Sequence, residues 1–274
     1  MIGQTKLKKQ IGDILQSGKF PRFSIFIGER GSGRRTFIKE MLLGLGDYQE
    51  CDSDVDTVRQ VVAQSYMQMA STVYVFSNAD DMSVGAKNAL LKVTEESPNN
   101  AYFVMTLTNA ENTLQTIRSR ASVFYTDAYT PNEILEYYHT KTTAPDDEII
   151  KSYCNVPGDV DLLCSYDLKE FQKFVQMVIG NVEKVSGANS FKIGNKLNLG
   201  VKKNQNTQSS DGYDLMLFWK AFRAECLDRL GDDPLKYVSG INVTSTHMRD
   251  SRISGINRQM SFDTWLLDLR KAWM

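Results

Sequence analysis

The sequence contains few histidines and cysteines, and they are widely spaced. It has two histidines, His139 and His247, and four cysteines, no two of which form a C-x-x-C pair. A histidine-based metal site and a zinc ribbon are therefore not predicted, and no disulfide framework is expected in a chain of this length. We expect the cysteines to be small buried side chains in the reducing cytoplasm.

Long hydrophobic runs and an excess of charge of one sign are also missing. No apolar stretch reaches the ~20 residues of a membrane-spanning helix, and the first residues do not resemble a signal peptide, so we expect no contact with a membrane. The chain of 274 residues carries 32 basic and 33 acidic side chains, a net charge of −1. This balance argues against a protein that coats nucleic acid through bulk charge, but it allows a local basic face.

Short apolar runs alternate with helical patterns through the first half of the chain. The predicted strands are Phe23–Ile27, a short strand ending near Cys51, Thr72–Phe76, Ala101–Leu107 and Ser122–Tyr125. Strands that are apolar throughout and separated by helices indicate a parallel sheet covered on both faces, which is an α/β fold.

The second half of the chain has helical patterns only. Helices are predicted over 168–185, 214–230 and 261–273, and the polar stretch 186–212 is interpreted as a weakly ordered connection or a short helix with long flanks. We expect an α/β domain over residues 1–127, a small helical domain over 128–166 and a helical C-terminal domain over 167–274.

A glycine-rich loop joins the first strand to the next helix, an arrangement that cradles phosphates between backbone N–H groups and the positive end of the helix. The candidate phosphate-binding residues are Gly28, Gly31, Gly33, Arg34, Arg35 and Thr36. The glycine spacing fits G-x-x-x-x-G-K-[ST], but Arg34 replaces the lysine, Arg35 replaces the Ser or Thr, and Thr36 comes one residue late. The loop could hold an anion but lacks the usual Mg²⁺ ligand, and it is equally compatible with a turn kept for packing.

The acidic groups of an ATP-hydrolysing site are also missing. The strand ending at Phe76 is followed by Ser77 and Asn78, where such a site needs a carboxylate for Mg²⁺ and a second acid to activate water. We expect Asp80 and Asp81, further along, to belong to the next turn or to cap the helix that starts near Ser83. Two independent losses predict that the chain does not hydrolyse ATP.

Two later stretches carry a family resemblance. Residues 87–98 read KNALLKVTEESP and match the pattern N-A-L-L-K-x-L-E-E-P-P, while residues 116–121 read TIRSRA and match T-I-x-S-R-C except at Ala121. Together with the loop, and in this order over about residues 1–165, they resemble clamp-loader AAA+ subunits, most closely the delta-prime type of the bacterial DNA polymerase III clamp loader. The resemblance implies a P-loop AAA+ sheet domain, a helical lid and a helical collar that mediates oligomerisation.

The resemblance also implies roles for single residues. Arg120 corresponds to an arginine finger that reaches the γ-phosphate held by a neighbouring subunit. The alternative is that Arg118 and Arg120 cap or salt-bridge the end of their short helix. Thr108 and Asn109 fall at the first sensor.

Three further implications concern the lid, zinc and DNA. Asp161 stands where the family has the second-sensor arginine, and the zinc module of the family is absent. Ser83 and Lys87 are the candidates for contact with the DNA backbone.

We therefore expect a non-hydrolysing subunit of a DNA sliding-clamp loader. Its partners would be other AAA+ subunits, the sliding clamp and primer-template DNA, with no metal and no tightly bound cofactor, although ATP remains possible. One alternative is an active ATPase that uses Arg34 and Thr36, with Asp80 or Asp81 on Mg²⁺. Another is an AAA+-like regulatory adaptor outside replication.

Overall fold

The computed structural model describes residues 2–142, 144, 146–184, 193–199, 212–253 and 257–274. Contacts divide the chain into two compact units, Met1–Glu133 and Ile134–Met274. Most of the predicted connection 186–212 lies outside the described residues, and the division of the helical part into 128–166 and 167–274 stays a prediction. In the described part of the chain, no helix combines the length and apolarity that crossing a membrane requires.

A five-stranded parallel sheet forms the centre of the first unit. Its strands are β1 (Phe23–Ile27), β2 (Asp47–Cys51), β3 (Thr72–Phe76), β4 (Ala101–Leu107) and β5 (Ser122–Tyr125), in the order β2-β3-β4-β1-β5. Every residue of β1 and β3 is buried, as expected for strands that are apolar on both faces. The predicted α/β fold class and the predicted strands are confirmed.

Helices cover both faces of this sheet. They are α1 (Thr5–Gln16), α2 (Arg34–Leu42), α3 (Val55–Ser65), α4 (Val84–Ala89), α5 (Leu91–Glu95) and α6 (Gln115–Arg118), with 3₁₀ turns at Leu43–Leu45, Ala79–Asp81 and Ala110–Asn112. Neighbouring side chains of β1 enter different cores, since Ile25 packs in one cluster and Phe26 in the other. The single helix expected to start near Ser83 is in fact two helices, which meet at Leu90.

The second unit is helical in its described residues. After α7 (Pro131–His139), which crosses the division, its helices are α8 (Asp147–Tyr153), α9 (Pro157–Cys164), α10 (Leu168–Asn181), the 3₁₀ turn Val182–Lys184, α11 (Leu215–Asp228), α12 (Pro234–Asp250) and α13 (Arg258–Trp273). Trp265 packs against Phe218, Phe222 and Phe262, and its indole N–H donates to Thr244 Oγ1 over 3.0 Å. The sequence analysis did not predict α12.

Candidate functional site

The carboxyl ends of the three central strands bring the candidate site residues together. Because β1, β3 and β4 are parallel neighbours, the glycine-rich loop, the turn Ala79–Asp81 and the turn Ala110–Asn112 all follow strands at the same edge of the sheet. Ligands of open α/β sheets bind at this edge. The candidate residues lie at one edge of the sheet because the predicted strands were correct.

The glycines of the loop are required by its backbone. Gly31 and Gly33 have φ values of 85° and 75°, in the left-handed region that favours glycine. A Cβ at Gly28 would lie 2.1 Å from Thr126 Oγ1, so the loop packs directly on the chain after β5. The Ser32 N–H donates to the Glu29 carbonyl over 3.0 Å, which uses one backbone donor inside the loop.

Tyr129 contacts the same loop from the segment after β5. Its hydroxyl donates to the Ser32 carbonyl over 2.9 Å, and its ring lies 2.9 Å from where a Cβ of Gly3 would stand. The tyrosine therefore links the glycine-rich loop to the backbone at Gly3. The sequence analysis missed this residue, because nothing in the local pattern around Tyr129 links it to a loop 97 residues away.

The three residues after Gly33 lie in different surroundings. Arg34 is 6% exposed, and its Nη1 has no hydrogen-bond partner among the described residues. Burial lowers the pKa of Arg34, and the nearby Asp80 opposes this effect. Arg35 instead pairs with Glu50 of β2 over 2.5 Å, and Thr36 is exposed. Of the three, Arg34 is the residue best placed to meet an anion at this edge of the sheet.

Asp80 joins the turn after β3 to the end of β4. It is 8% exposed, and its Oδ1 accepts hydrogen bonds from the Thr108 N–H at 2.8 Å, the Thr108 hydroxyl at 2.7 Å and the Asn112 amide at 2.7 Å. Asp80 lies in the turn that follows β3, which was expected as the alternative to a helix cap. The helix cap is Ser83, whose hydroxyl accepts from the Ala86 N–H.

Lys87 belongs to the same network. Its ammonium donates to the carbonyls of Asn112 at 2.6 Å and Asp80 at 3.4 Å, and the side chain is buried. Burial lowers the pKa of Lys87, against the opposing effect of Asp80 and Asp81. We call Asp80, Lys87, Thr108 and Asn112 the Asp80 network. An ammonium held in this way is not presented to a DNA backbone, so the geometry does not support the predicted DNA contact of Lys87.

The two positions that directly follow β3 lack acidic side chains. Ser77 has a buried hydroxyl to which no described residue is hydrogen-bonded, and the Asn78 N–H donates to Thr106 Oγ1 over 2.8 Å. Asn109 caps the following 3₁₀ turn by accepting from the Glu111 N–H, while Thr108 is tied to Asp80. The two candidate sensor residues therefore make structural contacts within the chain.

Arg120 lies on the surface just beyond α6. Its Nη1 donates to the Thr116 carbonyl over 3.0 Å, its Nη2 pairs with Glu95 over 3.1 Å, and its side chain is 40% exposed. Arg118 pairs with Glu111 over 2.8 Å. Arg120 thus makes the local contacts of the alternative interpretation and is also accessible to another molecule.

At the position that the resemblance assigns to the second-sensor arginine, this chain has an aspartate. Asp161 in α9 pairs with Lys141 over 3.1 Å and accepts from the Tyr137 hydroxyl at 3.0 Å. Among the described residues, no three His, Cys, Asp or Glu side chains come together as a possible metal site.

Comparisons with known sequences connect this chain to replication proteins. Residues 47–129 match a family described as DNA polymerase III, delta subunit. The chain is 25% identical to the DNA polymerase III subunit gamma/tau of Mycoplasma genitalium over 167 residues, which are 49% of this chain and 28% of that protein. It is 34% identical to the DNA polymerase III subunit delta′ of Haemophilus influenzae over 104 residues, 36% of this chain and 31% of that protein. The matches thus span less than a third of these relatives' lengths.

Solved structures share the fold. A gamma-subunit-related protein of DNA polymerase III from Thermotoga maritima superposes with a TM-score of 0.50 at 16% identity, covering 99% of this chain and 100% of that one. The RuvB Holliday junction branch migration motor of the same organism gives 0.50 at 16% identity, covering 97% and 87%. At this identity the structures show a shared fold and nothing finer.

Proposed function

We propose, from the similarity of this chain to DNA polymerase III subunits, that it is a non-hydrolysing member of a DNA sliding-clamp loader. It assembles with ATPase subunits and supplies Arg120 to nucleotide bound by a neighbour. Its other proposed partners are the sliding clamp and primer-template DNA.

One observation carries the proposal: neither of the two positions that directly follow β3 carries a carboxylate that could hold Mg²⁺. Ser77 and Asn78 follow β3 directly, and the buried acid nearby, Asp80, already accepts three hydrogen bonds through one oxygen. Recruiting Asp80 to a metal would leave buried donors of Thr108 and Asn112 with weakened partners, at a cost of about 1–3 kcal/mol each. This also argues against the alternative in which Asp80 binds Mg²⁺.

The loop itself fits a phosphate better than it fits a metal. The first turn of α2 offers backbone N–H groups, and the Nη1 of the buried Arg34 is not hydrogen-bonded to any part of the chain that the structure describes. The position of the usual hydroxyl ligand is occupied by Arg35, which pairs with Glu50. Any ATP bound here would therefore be held without the metal that phosphoryl transfer requires.

Arg120 is suited to act in trans because it is accessible and only loosely held. Its ion pair with Glu95 joins two half-exposed side chains, and such surface pairs contribute about 0–1 kcal/mol. A γ-phosphate can compete for the guanidinium at that cost, and a guanidinium neutralises charge that develops on a transferring phosphoryl group.

The test is reconstitution with the cognate ATPase subunits, comparing Arg120→Ala with the wild-type chain. At the site that Arg120 completes, turnover is expected to fall on the order of 10³-fold. DNA-stimulated turnover of the whole assembly is then expected to fall by the fraction that this site contributes. Size-exclusion chromatography should show an intact assembly. Arg118→Ala is the matched control and is expected to leave turnover unchanged. Unchanged turnover in an intact Arg120→Ala assembly would exclude the assigned role.

A further inference from the structure

Helix α11 is the central helix of the second unit. Ten of its 14 residues are buried, and they include two charged side chains, Lys220 and Glu225. A buried charged side chain is costly unless it is paired, so the partners of these two residues show which elements the helix holds. Each of the two has a partner in the segment 147–164, which contains α8 and α9.

Lys220 connects α11 to the start of α9. Its ammonium donates to Asp159 Oδ2 over 2.6 Å, and the two side chains are 2% and 7% exposed. The same oxygen accepts from the backbone N–H groups of Asn155 at 2.8 Å and Val156 at 3.1 Å. Asp159 therefore closes the turn between α8 and α9 and also pairs with α11. If this turn moved away from α11, it would leave a buried ammonium without its carboxylate.

Glu225 connects α11 to the end of α8. The Tyr153 hydroxyl donates to Glu225 Oε1 over 2.5 Å, and both side chains are buried. Burial and this hydrogen bond raise the pKa of Tyr153, so the hydroxyl stays protonated and remains a donor. The amides of Gln172 and Gln176 in α10 contact the same carboxylate oxygen at 3.4 Å. One carboxylate thus holds both α8 and α10 against α11.

A third contact lies at the start of α11. The N–H of Asp214, which is the N-cap residue of the helix, donates to the Tyr166 hydroxyl over 3.0 Å. The contacts therefore occur at the start of α11, near its middle and in its last turn. At about 100° per residue, Lys220 and Glu225 lie about 140° apart around the helix axis. The segment that precedes residue 167 is thus attached to α11 at three levels and from two sides.

We propose that α8 and α9 are locked to α11, so that residues 147–164 open and move as one body with the C-terminal helices. The family resemblance predicts two separate domains that meet at residue 166, a helical lid and a collar. The buried pairs at Lys220 and Glu225 cross that boundary. Apolar packing is non-directional, whereas a buried hydrogen-bonded pair is lost when its geometry changes. The proposal does not depend on the proposed clamp-loader function, because all of these contacts lie within one unit of this chain.

The test is native-state hydrogen exchange of the full chain, measured by mass spectrometry on peptides that cover α9 and α11. In the wild type we expect the slowest amides of the two helices to have protection factors within about tenfold of each other, because the helices open together. Lys220→Met leaves Asp159 buried without its cation and should speed exchange in both helices on the order of 10²-fold.

Lys236→Met is the matched control. It removes the ion pair between Lys236 and Glu183, which are both partly exposed and both follow residue 166. Such a pair contributes little, so exchange in α9 should change by less than about fivefold.

Two results would overturn the proposal. If the slowest amides of α9 exchange more than about tenfold faster than those of α11 in the wild type, the segment opens on its own. If α9 of Lys220→Met exchanges as in the wild type, the buried pair does not hold the helix. Because the two helices are compared on the wild-type chain, the first result stands even if Lys220→Met folds poorly.

Discussion

Asp80 connects two turns that lie far apart in the sequence. Its Oδ1 accepts from the Thr108 N–H, the Thr108 hydroxyl and the Asn112 amide, and Asn112 is 32 residues away. An acid just after a central strand of a P-loop fold would ordinarily be considered a metal ligand. Here the geometry gives it a structural role, because it joins the turn after β3 to the residues that follow β4.

Replacing Asp80 should therefore reduce stability. Asp80→Ala leaves buried donors without an acceptor and is expected to lower the free energy of unfolding by about 2–4 kcal/mol, whereas Asp80→Asn keeps an oxygen acceptor and should cost about 1 kcal/mol. Urea denaturation measures both values, and Asp52→Ala at an exposed position after β2 is the control. Equal stability of Asp80→Ala and the wild type would show that the network contributes nothing.

The sequence predicts which element a candidate residue belongs to better than it predicts the contacts of that residue. The glycine spacing predicted a loop after β1, and the apolar run before it predicted β1 itself. The burial of Lys87 was not predictable, because it depends on the Asn112 carbonyl 25 residues away. The local sequence indicates a basic position on a helix. Only the packing of α4 against the turn after β4 determines whether the ammonium faces solvent or forms hydrogen bonds within the chain.

Helix α12 shows why a whole element can be missed. The strands have unbroken apolar runs, but the buried positions of α12 are Gly240, Thr244 and Met248, which give no apolar stripe. These small residues face large partners instead: Thr244 accepts from the Trp265 indole, and Gly240 lies against Trp273. The start signal, Asp233 followed by Pro234, was present in the sequence and is the cap that the structure shows.

Two helical glycines should respond to alanine in opposite ways. A Cβ at Gly240 would lie 3.0 Å from the Trp273 ring, while a Cβ at Gly180 in α10 would meet nothing within 4 Å. We expect Gly180→Ala to stabilise the chain by about 0.5–1 kcal/mol through helix propensity. Gly240→Ala gains the same propensity but crowds a buried indole, and we expect a net loss of about 1 kcal/mol. Thermal unfolding compares the two, and equal stabilisation would contradict the crowding.

The two units divide the chemistry of the whole molecule. The glycine-rich loop, the Asp80 network and Arg120 belong to Met1–Glu133, whereas the aromatic contacts of Trp265 belong to Ile134–Met274. The sequence predicted the α/β and helical halves from their periodicities, but the contacts of Trp265 depend on how the helices pack and have no sequence signal.

Arg120 is proposed to act in trans in the assembled complex, so a prediction about its ion pair rests on the proposed function. Glu95 competes with phosphate for Arg120, whereas the Thr116 carbonyl also holds the guanidinium and remains in Glu95→Gln. Because a surface ion pair contributes up to about 1 kcal/mol, Glu95→Gln should raise turnover by the cognate ATPase subunits by no more than about fivefold and should reduce its salt dependence.

Glu111→Gln, which releases Arg118 instead, is the matched control and should leave turnover unchanged. Salt dependence separates the two possible roles of Glu95, since a competing ion pair is screened by salt and a fixed geometric support is not. A fall in turnover as large as that of Arg120→Ala would mean that Glu95 orients the guanidinium for the reaction, and the competition model would then be wrong.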